Sequence, residues 1–453
     1  MRPQLLDDSV SFSCESCAHC CQQPWRIRIE PERAQALDRH DFSAYTKLAG
    51  KKFYHKRAGQ RAAQHNDQRY ELAKADGGGC LFLDTDGLCI IHKELGAEAK
   101  PQMCREFPLL EAHTWTDDRV SANYGCPTVQ TRRGKSLTDQ AEDIAAIVPI
   151  SKQPPNSDGP VRLDTTCKLT LAENDALFDR VLSIFDDRAG GDLWQRFGEV
   201  LALLVAVKDF KESADRNSDG AKSLTALLRS GEALLLAPHV PVIRAYPRPP
   251  AAPMPVRFLF AATLYPDTIP PDAIGRTGLL KRLAFIPKLL TLAQLSGTYS
   301  SLLLGRNVSI QQVLQHGLNE ELDPAATQLL LRYYRSRFWQ RMIAGTRLPI
   351  TAGIHQHIHD FNAIIFMARA EAQVTNEPSL TEPLIHQALT RVEFLLANQP
   401  RLFDQKLKGW FRGQLANPGL ALQSLRLMAL RHAEEPTSVA SAPSVERSSA
   451  TSG

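Results

Sequence analysis

Residues 14–21 read Cys14-Glu-Ser-Cys17-Ala-His-Cys20-Cys21. Four thiols in eight residues cannot all enter one small apolar core, so packing does not explain them. C-x2-C spacing lets two sulfurs reach one ion from a single tight turn, and thiolates are soft donors suited to zinc or iron–sulfur centres. Consecutive thiols cannot easily take adjacent positions on one tetrahedral ion. The Cys20-Cys21 pair therefore indicates two metals, a polynuclear cluster, or one ligand beside a non-ligand. Cys80, Cys89, Cys104 and Cys126 complete a set of eight before residue 127, and Cys167 alone lies beyond it.

This asymmetry divides the chain. Residues 1–150 read as a cysteine-cluster metal-binding domain. Ser151–Pro160 (SKQPPNSDGP) reads as a linker, residues 161–432 as a helical domain, and residues 433–453, rich in Ser, Ala and Pro, as a disordered tail. The expected fold class is mainly α, with the cysteine domain small, irregular and α+β. Trp25–Glu30 alternates like a strand, Pro31 opens a helix, and residues 80–91 read as a compact hairpin about Asp84-Thr-Asp-Gly87. Beyond the linker, helical patterns run through Leu177–Ile184, Trp194–Lys211, Ser223–Leu236, Ile274–Leu304, Ile310–Leu318, Pro324–Ile343, His355–Ala372, Leu380–Leu396 and Phe403–Arg431. Ala245–Arg257, with five prolines, reads as an extended crossing or hinge.

A formal net charge of +4 gives no reason to expect a nucleic-acid partner. Tyr45–Lys74 holds eight Lys/Arg against two Asp/Glu and reads as a solvated basic insertion. The longest apolar run, Val200–Val207, is too short to span a membrane, and the N-terminus lacks a signal-peptide core. A cytoplasmic, reducing location follows as the expectation, with thiols rather than disulfides. Zinc fits eight thiolates as two four-ligand sites, and a 4Fe–4S cluster fits four of them; spacing alone does not choose. The C-x3-C-x2-C pattern of radical S-adenosylmethionine enzymes is absent.

Other candidates carry blander readings. His355-Gln-His357-Ile-His359 reads as a polar helix N-terminus, and Tyr333-Tyr334 with Phe338-Trp339 as core. His19 and His92 read as orienting or exposed groups, although either could replace a thiolate. Arg105 either donates to a sulfur or pairs at the surface. Gly77-Gly78-Gly79 reads as room for a close approach to the metal site, since the strand-then-helix setting of a phosphate loop is missing.

A resemblance now becomes specific. The Cys20-Cys21 pair followed by Trp25-Arg-Ile-Arg-Ile, Cys80-x-Phe-Leu, Gly87-Leu-Cys-Ile-Ile-His-Lys-Glu-Leu-Gly96, Cys104-Arg-x-Phe-Pro108 and Cys126-Pro127 fall in order. Over residues 12–130 they resemble the YkgJ-like cysteine-cluster family, described as zinc- or iron-chelating, and within it the flagellin lysine N-methyltransferase branch. The resemblance implies a metal or cluster held by Cys14, Cys17, Cys20, Cys21, Cys80, Cys89, Cys104 and Cys126. It further implies S-adenosylmethionine as methyl donor and flagellin or another protein as substrate. No Gly-x-Gly-x-Gly motif marks a Rossmann-type donor site, so no catalytic or donor-binding residue is assigned. The competing expectation is a non-enzymatic zinc- or iron-chelating protein whose helical half binds a partner.

Overall fold

The computed structural model describes residues 3–7, 9–23, 25–56, 70–76, 78–148, 161–186, 192–214, 223–230, 252–268, 286–316, 322–341, 348–397 and 413–428. Ser151–Pro160 and residues 433–453 lie outside them.

The N-terminal part has short elements. They are β1 (Gln4–Leu5), β2 (Ser11–Phe12), α1 (His19–Gln22), β3 (Arg28–Ile29), α2 (Pro31–Arg39), β4 (Tyr54–Lys56), β5 (Tyr70–Leu72), α3 (Ile90–Leu95) and α4 (Gln102–Glu106). After them come β6 (Leu109–His113), β7 (Asp118–Ala122), α5 (Pro127–Gln130), β8 (Lys135–Ser136) and α6 (Ala141–Ile147). Pro31 starts α2 as expected, because its missing N–H costs nothing in the first turn. The Trp25–Glu30 alternation yields only Arg28 and Ile29 in a ladder, antiparallel to β5, whose other side pairs with β4. The basic insertion is thus closed at its ends by the β4–β5 pairing. Residues 80–91 form bridges rather than a full hairpin, Lys74 with Cys80 and Leu83 with Cys89, and the chain enters α3 directly.

This part holds two cores. Ile27, Ile29, Leu37, Phe42, Leu72, Phe82, Ile90 and Ile91 form a small one beside the cysteines. Fully burying each such side chain stabilises by about 1.5–3 kcal/mol. The β1–β7–β6 sheet, parallel at β1–β7 and antiparallel at β7–β6, contributes Val120 and Ala122 to a second, larger core shared with the helices, joined by Leu6 just after β1.

Beyond residue 160, β9 (Val161–Arg162) and β10 (Lys168–Leu169) form a ribbon before α7 (Leu171–Ile184), α8 (Leu193–Ala214), α9 (Leu224–Ser230) and α10 (Met254–Leu264). Next come α11 (Ile286–Gln294), β11 (Thr298–Ser301), β12 (Arg306–Ser309), α12 (Ile310–Gln315), α13 (Pro324–Trp339), α14 (Ile350–Thr375), α15 (Glu382–Ala397) and α16 (Pro418–Leu427). The chain is mainly helical, with a small mixed N-terminal part. A capping box starts α7: Glu173 N–H donates to the Thr170 hydroxyl at 3.2 Å, and Thr170 N–H donates to the Glu173 carboxylate at 2.8 Å. No helix among the described residues is long and apolar enough to cross a membrane.

Two expectations are corrected. The Ile274–Leu304 pattern is not one helix. The helix ends at Gln294, Leu295 and Gly297 take positive φ, and a β-hairpin follows at Thr298–Ser309. Residues 245–251 of the proline-rich Ala245–Arg257 stretch lie outside the described residues, and its last residues are helical rather than extended. Pro253 caps α10 and Pro255 sits in its first turn, where a missing N–H is tolerated.

The histidine run also departs from expectation. It lies in α14, which packs against α8, α10, α12, α15 and α16 and is buried along nearly all its length. His355 and His359 stack with ring centroids 4.9 Å apart. His355 Nδ1–H donates to the Leu415 carbonyl at 3.1 Å, so its Nε2 accepts from the Ser424 hydroxyl at 2.8 Å. That hydroxyl in turn accepts from His359 Nε2–H at 3.2 Å. Burial pulls the His355 pKa down to about 4 and holds His359 well below the usual range. A histidine with a depressed folded-state pKa contributes its full stability above the unfolded value and loses it as pH falls. The helical body should therefore lose stability from about pH 6.5 toward pH 4, on the order of 2 kcal/mol for His355 alone by about pH 5. Urea denaturation at about pH 7 and pH 5 checks this; an unchanged midpoint in the wild type would contradict it.

Candidate metal centre

The Cys14–Cys21 segment folds back on itself because Ser16 and Ala18 take left-handed φ of 55° and 61°. Cys21 N–H then donates to the Ala18 carbonyl at 2.9 Å, closing α1. The segment around Cys80 docks through one backbone bond, Cys80 N–H to the Cys21 carbonyl at 2.7 Å. Gly79 permits this approach, since a Cβ there would stand 3.3 Å from that same carbonyl oxygen. Cys89 precedes α3, and Lys93 of that helix binds both Asp84 and Asp86, pinning the turn that carries Leu83 and Leu88. Cys104 lies on α4, just after Pro101.

These segments bring five cysteines, Cys20, Cys21, Cys80, Cys89 and Cys104, to one cavity of about 50 Å³. Trp25, Ile27, Leu72, Ile91, Pro101 and Phe107 supply most of the remaining wall, together with Lys100. Cys20 Sγ and Cys21 Sγ are 3.9 Å apart. Two thiolates held tetrahedrally by one zinc at ~2.3 Å lie about 3.8 Å apart. The expected difficulty for consecutive thiols is thus removed by the turn that puts both on one wall.

The electrostatics fit a bound cation. The hydrogen bond with Cys21 brings the Cys20 thiol down to about 7, and the same bond pushes Cys21 up. Burial pushes the Cys80 and Cys104 thiols up, and the charge of neighbouring thiolates adds to it. Burial lowers Lys74, while the charge of Cys80 works against this shift. Several thiolates in one dry cavity repel one another, and a soft divalent cation or an iron–sulfur core would remove that penalty. Trp25 Nε1–H, in the cavity wall, is buried without a partner among the described residues. Among the described residues no three Cys, His, Asp or Glu side chains are already drawn together as ligands. The donor set and its placement fit a soft metal or cluster. On binding, these thiolates would hold it and exclude water with the aromatic wall.

Cys14, Cys17 and Cys126 are not in this wall. Cys14 and Cys17 are exposed, and Cys126 is buried, with its sulfur 3.1 Å from the Thr128 hydroxyl. His19 bonds Gln23 at 3.2 Å, and His92 is exposed. Arg105 pairs with Glu98 at 2.8 Å, which decides for the surface-pairing alternative. Cys167 belongs to the larger core, its N–H bonded to Asp164 at 2.7 Å. Tyr333, Tyr334 and Phe338 are core, as expected. Sequence reading missed Lys100 and Phe394. Lys100 stands four residues before Cys104, a signal available in the sequence. Phe394, on α15, packs edge-on to Trp25 with centroids 5.5 Å apart, and nothing local announces it.

Residues 13–127 match the CxxCxxCC family, described as "Putative zinc- or iron-chelating domain". The chain is 32% identical over 127 residues to the "Lysine-N-methylase" of Salmonella choleraesuis (strain SC-B67), covering 27% of this chain and 29% of that protein. It is 41% identical over 56 residues to the "Flagellar biosynthetic protein FliU" of Salmonella muenchen, covering 12% of this chain and 32% of that protein. The chain thus spans under a third of the length of these curated relatives. No solved structure matches it. The five-thiol cavity lies wholly inside the matched stretch, and residues 13–127 form a CxxCxxCC domain, distantly related to lysine-N-methylase.

Proposed function

We propose that the chain is a metal-dependent protein-lysine N-methyltransferase. Its cysteine domain holds zinc or an iron–sulfur cluster, S-adenosylmethionine donates the methyl group, and flagellin or another surface-lysine protein accepts it. The observation that carries this reading is the 32% identity to a lysine-N-methylase over the stretch that gathers the five thiols. A lysine amine attacks a methyl group only after losing its proton, so the acceptor lysine must be desolvated or met by a base. The metal centre alone supplies no grip on a lysine chain. The contact of Trp25 with Phe394 of α15 supports a site built jointly with the helical body.

A second reading is favoured by the extent of the likeness, 27% of this chain and confined to its chelating part. It makes the protein a non-enzymatic metal binder with a helical partner-binding module. Anaerobically purified full-length protein, incubated with methyl-labelled S-adenosylmethionine and flagellin, separates the two. The expected result is label on lysine, lost in Cys80→Ser. Absence of both labelling and donor binding, with the metal retained, would establish the second reading.

A further inference from the structure

We infer that the groove between β12, α12 and the last turns of α14 binds an extended, uncharged segment of a partner protein, which adds to β12 as a third strand. Such binding requires neither the metal nor the methyl donor and goes beyond the proposed function.

Among the described residues β12 has one open edge. Its sheet has two strands, paired from Thr298 with Ser309 to Ser301 with Arg306. Ile310 N–H donates to the Gly297 carbonyl at 2.9 Å, one step further in the same register. Antiparallel pairs alternate between bonded and non-bonded, so Arg306 and Val308 bond β11. Asn307 therefore points its N–H and carbonyl away from β11, and Ser309 its N–H. Among the described residues no main-chain bond outside the ladder takes these groups up. Asn307, Val308 and Ser309 all line the groove. Successive side chains of a strand face opposite ways, so three residues in a row line one groove along the strand edge.

The groove measures about 580 Å³, within the range of ligand sites. Four of its lining side chains are amides: Asn307, Gln312 and Gln315 beside the strand, and Gln373 on α14. Among the described residues none of the four amides has a hydrogen-bond partner. Each offers an acceptor and two donors, the complement of a peptide group. His316 is already engaged, its Nε2–H donating to the Glu377 carbonyl at 3.0 Å. No Lys, Arg, Asp or Glu lines the groove, so nothing there attracts a phosphate or a charged peptide. No aromatic ring lines it either, so a sugar finds no face to stack on. An open strand edge takes an extended peptide through main-chain bonds, and flanking side chains add to them. A neutral segment read through its backbone is the occupant that this lining complements.

Full-length protein is titrated into a capped, fluorescein-labelled peptide of alternating Thr and Val, a neutral strand-forming sequence, and binding is read by fluorescence anisotropy. Saturable binding is expected. Asn307→Pro removes one outward N–H and leaves the bonds of Arg306 and Val308 to β11, and proline is tolerated at a strand edge. It should weaken binding about tenfold. Gln312→Ala and Gln373→Ala break no internal side-chain bond and should each weaken it roughly threefold, which keeps the test sound if the proline variant misfolds. The same peptide N-methylated at alternate residues should not bind. Absence of saturable binding would overturn the inference, as would equal affinity in all three variants or for the N-methylated peptide. Binding of a maltooligosaccharide in place of the peptide would assign the groove to a sugar. A dimer of the wild type that Asn307→Pro abolishes would assign it to a second copy of the chain. Either result would also overturn the inference.

Discussion

Cys104→Ser is expected to empty the five-thiol cavity of metal and to destabilise the small core around Ile27, Phe82 and Ile90. The sulfur of Cys104 lies among four others in a water-poor cavity, and a serine hydroxyl is a far weaker donor to a soft ion. Loss of a direct ligand should exceed the ~10–100-fold affinity loss that follows removal of an outer partner. Structural zinc contributes an apparent 10–16 kcal/mol or so in small metal-dependent domains, so the stability effect reaches beyond the ligand itself. Chelation of the wild type should produce the same loosening, seen as lower protection of amides in residues 27–91 while α14 stays protected. Cys167→Ser is the control. Its thiol is buried in the larger core, far from any other cysteine in sequence, and metal content should not change. Equal metal per chain in wild type, Cys104→Ser and Cys167→Ser would refute the assignment.

Glu393→Ala should cost about 3–5 kcal/mol, because it strips the partner from a buried arginine. Arg337 on α13 pairs with the Glu393 carboxylate, which also accepts from the Tyr333 hydroxyl at 2.6 Å. Arg337 lies over the Tyr333 ring, 5.1 Å from its centroid, and Glu393 is almost fully buried. Removing the carboxylate leaves a cation and a phenol without their acceptor in an apolar core. Glu393→Gln, which keeps an acceptor oxygen, should lose less. Denaturant titration of the three proteins gives the difference, and a loss under about 1 kcal/mol for Glu393→Ala would mean that water reaches Arg337. The neighbouring Phe394 touches Trp25, so the same variant should raise the rate of metal release from the cavity.

The sequence by itself determined the chemistry and the class. Thiol spacing in Cys14–Cys21, with the later cysteines in family order, identified the CxxCxxCC domain, because so many thiols in one short stretch have no place in an ordinary apolar core. Apolar periodicity identified the helices wherever one face was polar, and Pro31 and Pro324 marked helix starts through their missing N–H groups. Other features depended on contacts between segments far apart in the chain. Periodicity could not show that His355 and His359 are buried, since a helix enclosed on every side has no polar face to set against an apolar one. Nor did it divide residues 286–304, where positive φ at Leu295 and Gly297 ends the helix and starts the hairpin. Nor could spacing say that Cys20 and Cys21 join Cys80, Cys89 and Cys104 while Cys14, Cys17 and Cys126 stand apart. That division was made by the tertiary structure, through the Cys80–Cys21 backbone bond on one side and the β2–β8 pairing on the other.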